Sequence, residues 1–141
     1  MFVTIISPAK KLDYSLNKDN LNSSVPSLLA HSNELMKDLK VLTPQDVSSL
    51  MGLSDKLGAL NYERFQKGET PFTESNSKQA ILAFKGDVYQ GLDAESLSVS
   101  DLNWAQDNVR ILSGLYGILK PMDLMQPYRL EMGTKFATKR G

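Results

Sequence analysis

Thr43-Pro44-Gln45-Asp46-Val47-Ser48-Ser49-Leu50-Met51-Gly52-Leu53-Ser54-Asp55-Lys56-Leu57 is the stretch on which the fold turns. Thr43 offers a hydroxyl to cap a helix. Pro44 fits the first helical position, where no N–H is lost, and Asp46 stands where a capping-box carboxylate belongs. Val47, Leu50 and Met51 give this short helix an apolar face. Gly52 ends it, because glycine enters the left-handed region at least cost. Ser54-Asp55 then starts a second helix, with Leu57, Leu60 and Phe65 expected to face inward. The pattern predicts helix, tight link, helix.

Upstream, Leu28, Leu29, Leu35, Met36, Leu39 and Leu42 recur at helical spacing through about residue 41. Pro26 suits the first turn of that helix, with Ser24 or Val25 before it. Asn17–Ser24 reads as polar linker, and Met1–Ile6 as a buried strand running into the loop Ser7-Pro8-Ala9-Lys10-Lys11. Downstream, Gly68–Asn76 is loop. Ala80-Ile81-Leu82-Ala83-Phe84 is either a buried strand or the end of a helix begun near Thr73. Gly86 to Gly91 is rich in turn signals. Ser100-Asp101 starts a helix carrying Leu102, Ala105 and Val109, and Arg110-Ile111-Leu112 reads as a strand entering Ser113-Gly114-Leu115-Tyr116-Gly117. Pro121 and Pro127 leave the remainder mostly irregular, with a basic end at Thr134–Gly141. Short strands interspersed with several helices predict an α+β (mixed α/β) fold.

The 141 residues fit a single domain, 1–141, and 41% hydrophobic with 8% aromatic content is enough to seed a core. Sixteen basic and sixteen acidic side chains cancel, so any nucleic-acid surface must be a local patch. No stretch approaches the roughly 20 apolar residues of a membrane helix. The opening apolar run is too short for a signal peptide. There is no cysteine, hence no disulfide, thiolate nucleophile or zinc-thiolate site. A cytoplasmic protein with no membrane partner is the expectation.

Leu50 to Leu57 comes close to a helix-hairpin-helix string, apolar-x-Gly-apolar-Gly-x-Lys, with Ser54 replacing the second glycine. In such a turn small residues let backbone N–H groups at a helix N-terminus face a phosphate, and a lysine one turn in adds a point charge. Gly52, Ser54 and Lys56 are therefore the candidate DNA-binding hairpin; the alternative is an ordinary helical hairpin with a glycine C-cap and a serine N-cap. Ser113–Gly117 spaces its glycines three apart and more plausibly shapes a loop by close backbone approach. Ser7, Lys10 and Lys11 put a hydroxyl and two ammonium groups at a strand end, the rim of an anion site or a solvated basic loop. His31, the lone histidine, reads as a surface residue. Lys85-Gly86-Asp87-Val88-Tyr89 and Pro127-Tyr128-Arg129-Leu130-Glu131-Met132-Gly133 mix charges and aromatics in loops, where they could line a cleft; Arg129 and Glu131 could equally form a structural ion pair.

Four strings carry a family resemblance: Ser7-Pro8-Ala9-Lys10, Leu82 through Leu92, Leu112-Ser113-Gly114-Leu115-Tyr116-Gly117, and Asp123 through Gly133. In order and spacing they resemble the YaaA family of bacterial peroxide-stress proteins over nearly the whole chain. The resemblance implies a cytoplasmic bacterial protein that limits damage under hydrogen peroxide, associated with low free iron and with DNA binding. It implies an unusual α/β arrangement with a helix-hairpin-helix at Gly52, Ser54 and Lys56 and a positively charged cleft. That cleft groups Lys10, Lys85, Tyr128 and Arg129, with Ser7 and Lys11 at its rim, in one concave basic region. The partner implied is double-stranded or structured DNA, held by phosphate and shape more than by base readout. The runner-up is an enzyme or binder of a small phosphorylated ligand in the same cleft; no catalytic residue is assigned. The family pattern continues beyond Gly141, so the chain is expected to be an incomplete version of a larger fold, prone to self-association.

With one histidine, no cysteine and scattered carboxylates, direct iron sequestration is disfavoured, and neither a metal nor another cofactor is expected. Calorimetric titration with iron or zinc is expected to show no tight stoichiometric site; a one-to-one isotherm at micromolar affinity or better would overturn this.

Overall fold

The computed structural model describes residues 3–15, 22–73 and 75–132. In chain order they form β1 (Thr4–Ile6), β2 (Lys11–Leu12), α1 (Leu29–Lys40), α2 (Pro44–Met51), α3 (Asp55–Lys67), β3 (Lys78–Gln79), α4 (Ala80–Ala83), β4 (Phe84–Lys85), α5 (Asp87–Leu92), a 3-10 turn (Ala94–Ser96), α6 (Val99–Asn108), β5 (Val109–Ser113), β6 (Gly117–Leu119) and β7 (Leu124–Met125). Helices mixed with short strands in small sheets are the α+β class expected. None of the described helices is long and apolar enough to cross a membrane. The basic end Thr134–Gly141 and most of the polar linker lie outside the described residues.

Two compact units make up the chain. The first consists of Met1–Ser27, Pro71–Leu112 and Ile118–Pro127. Its strands form three small sheets, in the orders β1-β5-β6, β2-β4 and β3-β7. β1 runs parallel to β5 with Ile6 opposite Ile111; β2 runs antiparallel to β4, and β3 to β7. Ile81, Leu82, Ala94, Leu102, Ala105 and Met122 form a buried cluster, with Leu97 and Val109 packed against it.

Buried Asp123 organises this unit from a position 1% exposed. Its carboxyl accepts from Ser24 Oγ at 2.5 Å and from the Lys120 N–H at 2.8 Å. Its backbone carbonyl accepts from the Ala80 N–H at 2.9 Å, beside Ile81 N–H to Pro121 carbonyl at 3.0 Å. Those contacts satisfy N–H groups at the start of α4, which explains why the ambiguous run 80–84 becomes one helical turn between two strand pieces. Gln106 closes the ring, donating to Ser24 Oγ at 3.0 Å and accepting from the Met122 N–H at 2.8 Å.

Ser24 also forms a parallel bridge with Asp123, and the chain then turns at Ser27 and Leu28 before α1. The helix starts at Leu29 with Leu28 as N-cap, leaving Pro26 upstream of it rather than in its first turn. Two further expectations are corrected. Ser98, not Ser100, caps α6, because Asp101 then stands three residues on and completes the capping box. The Gly86–Gly91 stretch is not turn but α5, which ends at Asp93 in the left-handed region with φ 48°.

The second unit consists of Leu28–Thr70, Ser113–Gly117 and Tyr128–Gly141. α1, α2 and α3 bury Leu39, Val47 and Phe65. α3 does not turn Leu57 and Leu60 inward: they are 38% and 42% exposed. Its buried stripe is Gly58, Asn61 and Phe65. The reason is the closeness of α2, since a Cβ on Gly58 would collide with Ser48 Oγ. Only the glycine face admits that approach, and the neighbouring leucines rotate outward. Gln66 Nε2 donates to the Lys40 carbonyl at 2.7 Å and Lys40 Nζ to the Gly68 carbonyl at 2.6 Å, joining the ends of α1 and α3.

Replacing Asp123 by Ala strands the Lys120 N–H and the Ser24 hydroxyl, so unfolding stability should fall by about 2–4 kcal/mol. Ser24→Ala, which removes one partner, should cost about 1 kcal/mol. Urea denaturation of both variants checks the order.

Candidate functional site

The hairpin candidate lies within the second unit. The Thr43 capping box forms in both directions: the Asp46 N–H donates to Thr43 Oγ1 at 3.1 Å and the Thr43 N–H to Asp46 Oδ2 at 3.0 Å. Gly52 closes α2 at φ 63°, ψ 40°, in the left-handed conformation. Ser54, at φ −61° and ψ 161°, caps α3 by accepting the Leu57 N–H at 3.3 Å. Ser54 thus needs no left-handed backbone, and the loss of a second glycine carries no strain here. Lys56 is exposed in the first turn of α3, next to exposed Asp55.

The basic loop lies within the first unit. β2–β4 pairing puts Lys11 opposite Lys85, with exposed Lys10 just before β2. The Ser7 carbonyl accepts from Tyr89 Oη at 2.6 Å, which pins the strand end to α5. Gly86 takes φ 148°, a conformation that side chains rarely adopt, beside the Ala9 side chain. Next to Lys85 a cleft of about 180 Å³ is lined also by Tyr89, Gln90, Asp93 and Glu95.

Asp13 gathers two cations of this loop. Its carboxylate stands 3.4 Å from Lys85 Nζ, and its carbonyl accepts from Lys78 Nζ at 2.8 Å. Lys78 is 2% exposed. Sequence reading missed both residues, since a lysine bordering an apolar run looks like an element boundary. The hydroxyl and N–H of Ser15, at 2.5 and 2.9 Å, are the chief cause of an Asp13 pKa lowered to about 2, with the Lys78 and Lys85 charges adding to them.

Tyr128 and Arg129 lie in the second unit. Tyr128 Oη and Ser113 Oγ are 2.7 Å apart, and Ser113 Oγ also accepts the N–H groups of Leu115 and Tyr116 at 3.3 and 2.9 Å. Burial pushes the Tyr128 hydroxyl up to about 12, against the opposing pull of its bond to Ser113. Arg129 Nη2 stands 3.7 Å from Glu131 Oε1, the ion pair foreseen as the alternative for these two residues. Gly114, Leu115 and Tyr116 make the turn between β5 and β6, and it is shaped by close approach, because a Cβ on Gly114 would collide with the Leu130 carbonyl. Exposed His31 edges a cleft of about 230 Å³ between α1 and this loop. Among the described residues no three His, Cys, Asp or Glu side chains come together as a metal site.

A folded-state pKa of about 2 against the ordinary 3.8 means that Asp13 contributes stability above pH 4 and loses it as pH falls through 2. Carbon-detected NMR titration should place its midpoint near 2. Ser15→Ala should move that midpoint upward, since the largest contribution is then gone.

Comparison with known proteins completes the picture. The family model described as "Peroxide stress protein YaaA" matches residues 2–141. A "UPF0246 protein" of Teredinibacter turnerae is 60% identical over 137 residues, covering 97% of this chain and 54% of the relative. Those of Saccharophagus degradans and Burkholderia multivorans are 58% and 52% identical over 137 and 139 residues, again covering 54% of each relative. The chain therefore spans about half the length of the curated relatives it matches. With the family model matched from residue 2 to residue 141 and relatives this close, the chain belongs to the YaaA family of peroxide stress proteins.

Proposed function

We propose that this protein acts in the peroxide stress response by binding DNA through its phosphates, with the α2–α3 hairpin as the gripping element. The observation that carries this reading is the link itself: left-handed Gly52, the Ser54 cap and Lys56 exposed in the following turn. A short link of this kind turns the N-terminal end of α3, whose Leu57 N–H is held by Ser54, toward an anion while the lysine adds a mobile charge. Asp55 in the same turn opposes an anion, so the expected affinity is moderate and salt-sensitive. Contact with phosphates alone favours shape over sequence, and bulged or branched duplexes suit it.

A second reading is a small phosphorylated ligand held by the basic loop. Its specific support is the β2–β4 register, which sets Lys11 against Lys85 beside Lys10 while Asp13 restrains Lys85.

Fluorescence anisotropy with unrelated duplexes and a four-way junction tests the first reading. Lys56→Glu should weaken all of them by a similar factor, about tenfold at low salt, and reduce the salt slope by about one. Asp55→Asn should tighten them. Affinity and slope unchanged in Lys56→Glu would make the hairpin purely structural.

A further inference from the structure

Met1–Ile6 reads in the sequence as a buried strand, apolar and β-branched, yet the structure leaves β1 open. Val3 and Ile5 are 49% and 62% exposed, and Thr4 between them is exposed as well. β1 lies parallel to β5, with Ile5 opposite Arg110 and Ile6 opposite Ile111. Side chains alternate between the two faces of a sheet. Ile111 and Leu119, both fully buried, mark the inner face, and Val109 packs there on the buried cluster of the first unit. Ile5, Arg110, Leu112 and Ile118 fall on the other face, where Ile118 is 48% exposed.

The one charged residue on that face does not shield it. Arg110 Nη1 donates to the carbonyls of Gln106 and Val109 at 2.7 and 2.8 Å, so the guanidinium is turned onto the last turn of α6, a favourable place for a cation. Neither β1 nor β6 contains a charged residue, so an apolar cover would bury no unpaired charge. Parallel strands occur in sheets that are covered on both faces, which is why their sequences are apolar throughout. Here the pattern of such a sheet is present, and no described residue forms the second cover.

We propose that the outer face of the β1-β5-β6 sheet is a docking surface for the half of the family's chain that residues 1–141 do not match, an apolar element of which packs on Val3, Ile5 and Ile118. Two magnitudes favour this occupant. Three exposed aliphatic side chains fall well short of the roughly 800 Å² per partner that a stable dimer buries. A tethered element needs no such area, because the tether supplies a high effective concentration and spares the cost of association. The relatives carry the required length, since the match covers 54% of each. The inference concerns how the first unit is covered and stands apart from both functional readings above.

The chain has no cysteine, so a single introduced thiol reports on a single position. Ile5→Cys and Ile118→Cys are made in the 141-residue chain and in the same chain extended by the unmatched part of the Teredinibacter turnerae relative, any cysteine of that part being replaced by serine. Alkylation by iodoacetamide is followed by mass spectrometry, and each rate is divided by that of the same variant in urea. Both thiols should react freely in the 141-residue chain and about tenfold or more slowly in the extended chain. Ile5→Lys should lower the urea midpoint of the extended chain and leave that of the 141-residue chain unchanged. Equal alkylation rates and equal midpoint shifts in the two chains would overturn the proposal. Slow alkylation already in the 141-residue chain would overturn it as well. Protection that grows with protein concentration would then give the face to a second copy, and protection independent of concentration to a segment within residues 1–141.

Discussion

One carboxyl group, that of Asp123, ties together segments of the first unit that lie far apart in the chain. Ser24, 99 residues away, donates to it, and the Lys120 N–H three residues away does the same. Gln106 joins from α6, and the start of α4 hangs from the Asp123 carbonyl. Because the group is buried, each of these bonds replaces water that cannot enter, and loss of one partner leaves the others stranded. One consequence is the single turn of helix inside an apolar run that would otherwise serve as a strand.

In the second unit the governing constraint is steric. Ser48 and Gly58 set how closely α2 and α3 approach, and that closeness decides which face of α3 is inside. Two leucines are left at the surface as a result. Packing at this contact outweighs the transfer free energy of Leu57 and Leu60, because a large residue inward would have to push the helices apart. The same geometry leaves the Gly52–Ser54 link and Lys56 exposed at the end of the hairpin.

Basic side chains singled out in the sequence occur in both units. Strand pairing, rather than sequence adjacency, sets Lys11 against Lys85, and Asp13 restrains two lysines through its carboxylate and its carbonyl. Arg129 is placed by different means, through the anchoring of its neighbours on the Ser113–Gly117 loop. In each case a charged group is held by backbone whose position other residues determine.

What the sequence determined by itself was whatever depends on neighbours within about one helical turn. The Thr43 capping box, left-handed Gly52, the Ser54 cap and strand β5 were all legible, because each is decided by residues three or four positions apart. The family strings were legible for the same reason, as local patterns in order. Tertiary structure alone decided the rest. Nothing near Leu57 says that Gly58 will meet Ser48, and nothing near Lys78 says that its ammonium will reach the Asp13 carbonyl, 65 positions away. Nor does Arg129 reveal in its own string that its Nε will be buried with no acceptor among the described residues. Burial, helix face and pairing of charges depend on which distant segments arrive, and local sequence carries no record of them.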